Sequence, residues 1–348
     1  MKNKITIPMP VRYAINTILI IALWAPVFLM IESGDISRYW SGILISSGIN
    51  IILAVSLNIS TGYLGQLPLG HAGFMAVGAY ASGIFIKSTP ASDLLSDGNT
   101  MALLPYVIAA LAISFIVAGF FGFIIGVPAL RLKGDYLAII TLGFCEIIRV
   151  VITNIDSVLG FSFTYGSKGL TRIPKFTGFT TVFICVVLSC MVIHMIMKSR
   201  HGRAILSIRE NEIAAESCGI NTTYYKVMAF VLSAALAGVA GCLYGGYLGS
   251  LYPSTFSFMK SIEILVMVVL GGMGSMLGSV ISATVLTFLP ELLRTFADYR
   301  MVAYSLLLVA MMIFRPKGLL GSYDFSMSRL LEKALNMGRK SKEEVAKK

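Results

Sequence analysis

The sequence is short of charge. Asp, Glu, Lys and Arg together make up 13% of its 348 residues, about half the share of a soluble globular chain, roughly 25%. Hydrophobic residues reach 56% and the mean hydropathy is +0.82. A water-soluble fold has nowhere to put that much apolar surface, so a soluble enzyme is excluded. Disorder, a collagen-like chain and a disulfide-stapled secreted scaffold fall to the same figures. The five cysteines, Cys145, Cys185, Cys190, Cys218 and Cys242, form neither a CxxC pair nor a metal-type cluster. Most sit in apolar runs as small packing residues. A GxxxxGKS/T phosphate loop, HExxH, GxSxG and a dinucleotide fingerprint are all absent. The chain therefore has no ATPase or hydrolase motif of its own, and no cofactor or metal is expected on it.

What is present is a series of long apolar runs. They are continuous and do not alternate with period two, which points to an all-α polytopic membrane protein rather than a barrel. Lys and Arg outnumber Asp and Glu by 28 to 17, for a net charge of +11. These cations fall in short flanks beside apolar segments, which marks cytoplasmic loops in a lipid bilayer and argues against a nucleic-acid partner.

A crossing helix needs about 20 apolar residues. Residues 13–31 supply the first, behind Lys2, Lys4 and Arg12, with no small-residue cleavage site after them. This reads as an uncleaved span with residues 1–12 in the cytoplasm. No charged residue occurs from Tyr39 to Ile86. One helix of that length would be about 72 Å long, over twice the hydrocarbon thickness. The run must therefore turn back, at Gly62, Gly65, Pro68 and Gly70. Further spans fall near 101–128, 136–153, 178–198, 227–248 and 301–314. The loop with Asp93 and Asp97 then lies outside, and the loop 199–226, with Arg200, Arg203, Arg209 and Lys226, lies inside.

Segment 262–291 is interrupted by Gly271, Gly272, Gly274 and Gly278 and must begin and end on the outer side, as a re-entrant hairpin. The expectation is about eight transmembrane helices plus this glycine-interrupted hairpin. They divide into an N-terminal bundle (13–198), a cytoplasmic loop (199–226), a C-terminal bundle (227–315) and a basic cytoplasmic tail (316–348). Gly62-Tyr63-Leu64-Gly65 and Gly271-Gly272-Met273-Gly274 stand in corresponding places of the two halves, the pattern of repeat-built transporters.

Few polar groups lie within the runs. Glu146 and Arg149, at i and i+3, can pair on one helix, either to fix packing or as pathway charges. Glu263, close to Lys260, reads as interfacial at an outer boundary. His71, beside the first glycine break, is either a hydrogen-bonded interior histidine or a substrate contact; His194 and His201 are interfacial and loop residues. In the inner loop, residues 204–218 read as a short helix closed by Gly219. Ile205, Ile208 and Ala215, with Ala204 and Ile213 more loosely, form an apolar stripe opposite Arg209, Glu212 and Glu216. Such a helix either rests on headgroups or docks in a partner's groove, and its acidic residues favour docking.

Six stretches in order carry a resemblance: Asn58 to Ala79 (NISTGYLGQLPLGHAGFMAVGA), Arg131 to Ile148 (RLKGDYLAIITLGFCEII), Gly202 to Ile220 (GRAILSIRENEIAAESCGI), Ala229 to Gly241 (AFVLSAALAGVAG), Val269 to Gly278 (VLGGMGSMLG) and Phe314 to Gly321 (FRPKGLLG). Over roughly residues 40–321 the chain resembles the Liv-type permease subunits of branched-chain amino acid ABC importers, the M-type (LivM-like) more than the H-type. The resemblance implies an inner-membrane permease for Leu, Ile and Val, working by alternating access. Its partners would be a LivH-like second permease, two LivG/LivF-like ATPase subunits that hold the ATP, and a periplasmic or surface-tethered binding protein. It assigns ATPase coupling to Gly202, Arg203, Ala204, Arg209, Glu210, Ala214, Ala215 and Gly219.

It also maps a substrate pathway onto Asn58, Gly62, Gly65, Gln66, Gly70, His71, Gly73, Gly271, Gly272 and Gly274, where bare peptide groups could receive a zwitterion. Close helix packing through small residues is the equal alternative. Pro68 stands where relatives usually have Ser, and a Gly-Gly pair usual before Phe163 to Leu170 is missing. Urea and short-amide permeases are built alike and remain the alternative cargo; an ion-coupled secondary amino acid transporter would need paired mid-membrane carboxylates.

Overall fold

The computed structural model describes residues 21–89, 100–159 and 164–294, apart from Leu23 and Lys133, together with isolated positions as far as Gly318. The chain divides into two compact units, 1–41 with 323–348, and 42–322. In the first unit, residues 21–22 and 24–32 are helical, overlapping the later part of the expected first crossing. Residues 13–20, the loop with Asp93 and Asp97, Phe163, most of 301–314 and the basic tail lie outside the described residues.

In chain order the helices are α1 (Arg38–Asn58, continued by a π-turn over Ile59–Tyr63), α2 (His71–Ser88), α3 (Thr100–Ala129), α4 (Asp135–Leu159), α5 (Phe179–Lys198), α6 (Arg200–Glu210), α7 (Glu212–Ser217), α8 (Thr222–Leu248), α9 (Phe258–Gly271) and α10 (Met276–Leu292). Two short strands, β1 (Leu170–Thr171) and β2 (Ser250–Leu251), pair antiparallel. Among the described residues, Arg38–Tyr63, Leu103–Ala129, Asp135–Ser157, Phe179–Lys198 and Thr222–Leu248 are long and apolar enough to cross a membrane. The molecule is thus an all-α, multi-pass membrane protein.

Small residues decide which helices lie centrally. In lipid, apolar contact alone does not drive helices together, so close backbone approach has to supply the attraction. Helix α8 buries Ala234, Ala237, Gly238, Ala240 and Gly241 between α2 and α3. A side chain on Gly241 would strike the Met75 carbonyl of α2, and one on Gly238 would lie 2.5 Å from the Ser114 carbonyl of α3. Phe74 and Phe230 meet edge to face at 5.5 Å beside these contacts.

Two helices begin inside the bundle. After the π-turn the chain doubles back along α1, with the Gln66 amide donating to the Ser60 carbonyl at 2.9 Å. Helix α2 therefore opens beside Ser56, whose hydroxyl lies 2.8 Å from His71 Nε2. Ser56 is itself level with Ser233, about three turns into α8, where the Ser233 hydroxyl donates to the Ser56 carbonyl. Residues 252–257 descend likewise, through a 3-10 turn over Pro253–Phe256. Phe256 packs against the rings of Tyr80 and Tyr244, at 6.2 and 6.0 Å.

Helix α9 then opens against the middle of α4, where the Phe258 amide donates to Glu146 Oε1 at 3.2 Å. The Ala72 amide donates to Ser261 Oγ at 3.1 Å. From this meeting point α2 runs toward the strands, its Tyr80 hydroxyl donating to the Leu251 carbonyl, and α9 runs toward α6. Lys260 and Glu263, expected at an outer boundary, are therefore drawn inward, because the chain descends before α9 starts. Helices α9 and α10 form the expected hairpin, with Gly271 against Gly278 at its turn; farther along, Asn50 of α1 donates to Thr287 of α10 at 3.0 Å.

The packing gives a first prediction. Gly241→Ala forces α2 and α8 apart and costs about 1–3 kcal/mol, the usual cost of overpacking. Gly119→Ala, whose new methyl would meet Ala235 at an ordinary 3.4 Å, is neutral or stabilising by up to about 1 kcal/mol. Thermal midpoints of the detergent-solubilised variants check both; equal midpoints would remove the close-approach account.

Candidate functional site: the α6–α7 elbow and the helix breaks

Helix α6 starts where α5 ends. Ser199 caps it, its hydroxyl accepting from the amides of His201 and Gly202 at 3.1 and 3.5 Å. The chain turns so sharply here that any side chain on Gly202 would strike the Met197 backbone. Ala204, Ile205 and Ile208 are buried, as is Ala215 of α7. Ile205, Ile208 and Ala215 pack with Val55, Ile59 and Leu64 at the end of α1 and with Ile193, Ala229 and Leu236. The apolar stripe is thus used on the chain's own bundle, not on headgroups or a partner.

The single helix expected over 204–218 is in fact two. Asn211 leaves the helix at φ −159° and caps α7, its side-chain oxygen accepting from the Ala214 amide at 3.1 Å. A side chain that can bond its own backbone competes with helix continuation. One consequence is that Ile213, expected on the stripe, points outward and is 75% exposed. Helix α7 ends in a Schellman motif. Gly219, at φ +82°, donates to the Glu216 carbonyl, and Ile220 donates to that of Ala215. Lys226, at the start of α8, forms a 2.7 Å ion pair with Glu212, with only 5% of the lysine side chain exposed. The pair ties α7 to α8. Sequence reasoning named both residues but did not join them; the signal was a lone lysine opening an apolar run.

The elbow reaches the first helix break. Arg209 Nη1 donates to the Gly62 carbonyl at 2.7 Å, and its stem covers Gly65, which sits at φ +79°. Asn58, buried beneath, joins that break to the second one. Its Oδ1 accepts from the Gly274 amide at 2.9 Å and its Nδ2 donates to the Ser275 carbonyl at 3.1 Å. Gly318 rests on Gly272 beside them. The two glycine motifs that correspond in sequence therefore touch in space.

Of the remaining pathway residues, Gly70 lies against Thr141, Gly73 against Cys145 and Gly271 against Gly278. His71 is buried on Ser56, and the Gln66 side-chain oxygen, like the Ser60 hydroxyl, is buried without a partner among the described residues. In this chain taken alone, these glycines serve close approach. Thr141, whose hydroxyl accepts from the Leu69 amide at 3.0 Å, and Ser261 were not anticipated; a hydroxyl inside a span is the one cue they leave.

Of the expected coupling residues, Gly202, Ala204 and Ala215 face the bundle, while Arg203, Glu210, Ala214 and Gly219 are exposed. Arg209 spans the two environments. Glu146 and Arg149 do pair, Nε to Oε2 at 2.7 Å, and Glu146 also receives the start of α9. Among the described residues no group of three His, Cys, Asp or Glu could hold a metal.

The Glu212–Lys226 pair yields a double-mutant prediction. Glu212→Gln leaves the buried ammonium uncompensated and destabilises the elbow by about 1–3 kcal/mol. Adding Lys226→Met recovers most of the loss, since it removes the buried charge left without its partner. Thermal midpoints and proteolytic cleavage within 211–219 report the cycle. Additive losses would show that the pair does not hold α7.

A family model described as a branched-chain amino acid transport system permease component matches residues 39–315. The high-affinity branched-chain amino acid transport system permease protein LivM of Salmonella typhimurium is 36% identical over 311 residues, 78% of this chain and 68% of that protein. LivM of Escherichia coli matches with the same figures, 36% over 311 residues. LivH of Salmonella typhimurium, named as a permease protein of such a system, is 26% identical over 306 residues, 82% of this chain and 95% of LivH. The matched region takes in both helix breaks, the elbow and the hairpin, and the chain belongs to the family of branched-chain amino acid transport system permease components.

Proposed function

We propose that this chain is the M-type permease subunit of an ATP-driven ABC importer for Leu, Ile and Val. It sits in the cytoplasmic membrane with both termini and the α6–α7 elbow in the cytoplasm, and forms the translocation path with a homologous, H-type permease. ATP is bound and hydrolysed on two separate ATPase subunits, and a binding protein outside delivers the amino acid. The likeness of the chain to both LivM and LivH supports a pair of related permeases.

The observation that carries the reading is the Arg209–Gly62 bond. An ATPase dimer that closes on ATP moves membrane helices only through an element rigidly attached to them. The elbow is capped at both ends and sunk into the bundle through Ile205, Ile208 and Ala215. Arg209 bonds it to the first helix break, and Asn58 of α1 joins that break to the second. Its outward side, with Arg203, Glu210, Ile213 and Ala214 exposed, is the surface for the ATPase.

Reconstituted with its second permease, the ATPases and binding protein, the chain accumulates leucine, isoleucine and valine in vesicles only when ATP is present on the elbow side. Alone it moves nothing. Arg209→Glu retains ATP hydrolysis but loses uptake by about tenfold or more, the scale of one lost charge-assisted hydrogen bond, about 1.5–3 kcal/mol, and Gly202→Leu, whose side chain strikes the Met197 backbone, loses uptake likewise. Normal uptake in both variants would end the coupling assignment, and accumulation by the lone chain on a proton or sodium gradient would end the importer reading.

A further inference from the structure

Helices α3 and α4 are both exposed along their length, yet their outer faces differ in kind. The outer face of α3 carries Leu104, Ile108, Ile116, Phe120 and Phe123, and residues 101–129 contain no charged, amide or imidazole side chain. That face suits lipid. Helix α4 is no better covered, with 22% of its most apolar stretch buried against 33% for α3, but it bears charge at its middle. Glu146 and Arg149 leave 32% and 36% of their side chains exposed. Thr153 continues the same side one turn on, and Asn154 is exposed next to it.

The start of α9 adjoins this strip through the Phe258–Glu146 bond and adds a second pair, Lys260 with Glu263 at 3.0 Å, the glutamate 44% exposed. Arg149 uses only its Nε for Glu146; among the described residues no acceptor meets its terminal amino groups. A part-exposed guanidinium with unmet donors at mid-helix is expensive against hydrocarbon, and such groups face protein or a hydrated cavity.

We propose that the strip of α4 around Glu146, Arg149 and Thr153, with the start of α9, is the face against which the second permease packs, enclosing a hydrated path between the two chains. This rests on the two-permease reading above and names the surface it left open. The occupant supplies hydrogen-bond acceptors to Arg149, which lipid tails lack. The apolar outer face of α3 stays in lipid.

The test uses the full complex with the photoreactive p-benzoylphenylalanine at Val150, 49% exposed beside the strip, at Ile147, 55% exposed one position from Glu146, and at Ile116 of α3, 66% exposed, as the lipid control. On irradiation Val150 and Ile147 cross-link to the second permease and Ile116 to phospholipid. Two reporters guard against one failing to assemble. Phospholipid adducts at both α4 positions, or cross-links there to any subunit other than the second permease, overturn the proposal. The cross-link reads the partner face whatever the cargo, while leucine uptake by the unlabelled complex reads the cargo, so the two readings fail separately.

Discussion

A peptide group that leaves helical geometry at membrane depth must find its hydrogen-bond partner within the protein, because the bilayer core offers none. Asn58 is that partner for the α9–α10 turn, accepting from Gly274 and donating to Ser275. Helix α1 is itself irregular directly after Asn58: a π-turn over Ile59–Tyr63 closes with the Leu64 amide on the Ile59 carbonyl. A π-turn shifts the register of everything after it and is a common mark of functional sites. Had α1 continued as an α-helix, Gly62 would not present its carbonyl to Arg209. One amide and one guanidinium thus supply the polar links between the elbow, the break and the hairpin.

How much of this was legible depends on the scale of the signal. The crossings near 101–128, 178–198 and 227–248 were plain, because apolar length and flanking charge are properties of whole segments. The turn near Gly62 and the hairpin about Gly272 were also readable, since an uncharged run too long for one helix must reverse. Depth was not. Residues 64–70 and 252–257 carry no periodicity, and nothing in their composition says that they fold back inside the bundle, so Lys260 and Glu263 were read at the wrong level. The contact between the two glycine motifs was legible only as a correspondence in sequence, because Asn58 and Gly274 are 216 positions apart.

The elbow shows the same limit from the other side. Its apolar stripe was rightly composed apart from Ile213, but its acidic residues pointed to a partner's groove; periodicity identifies a face and not what covers it. The bundle's own cluster around Val55, Ile59 and Ile193 covers it. Asn211 then ends α6 and restarts the helix as α7, turning Ile213 outward. An asparagine in mid-helix was the available warning, because its side chain can satisfy the next helix's first amides. The result separates two roles along one short stretch: buried alanines and isoleucines attach the elbow, while exposed residues between them leave a surface for something else.

The placement of α2 and α9 gives these pieces a common geometry. Both helices open beside the middle of α4, Gly73 against Cys145 and Phe258 on Glu146, and they run from there in opposite directions. Opposed half-helices meeting at mid-depth are the arrangement of inverted-repeat transporters, and here it follows from the two breaks rather than from any long internal similarity. It also explains why α4 carries polar groups at its middle. A helix receiving a helix start can supply an acceptor to its unpaired amides: Glu146 does so for Phe258 of α9, and Thr141 accepts from Leu69 just before α2. Arg149 compensates the carboxylate that this requires. The charges on α4 are thus first a consequence of where two other helices begin, and their partial exposure is what makes that face unsuited to lipid.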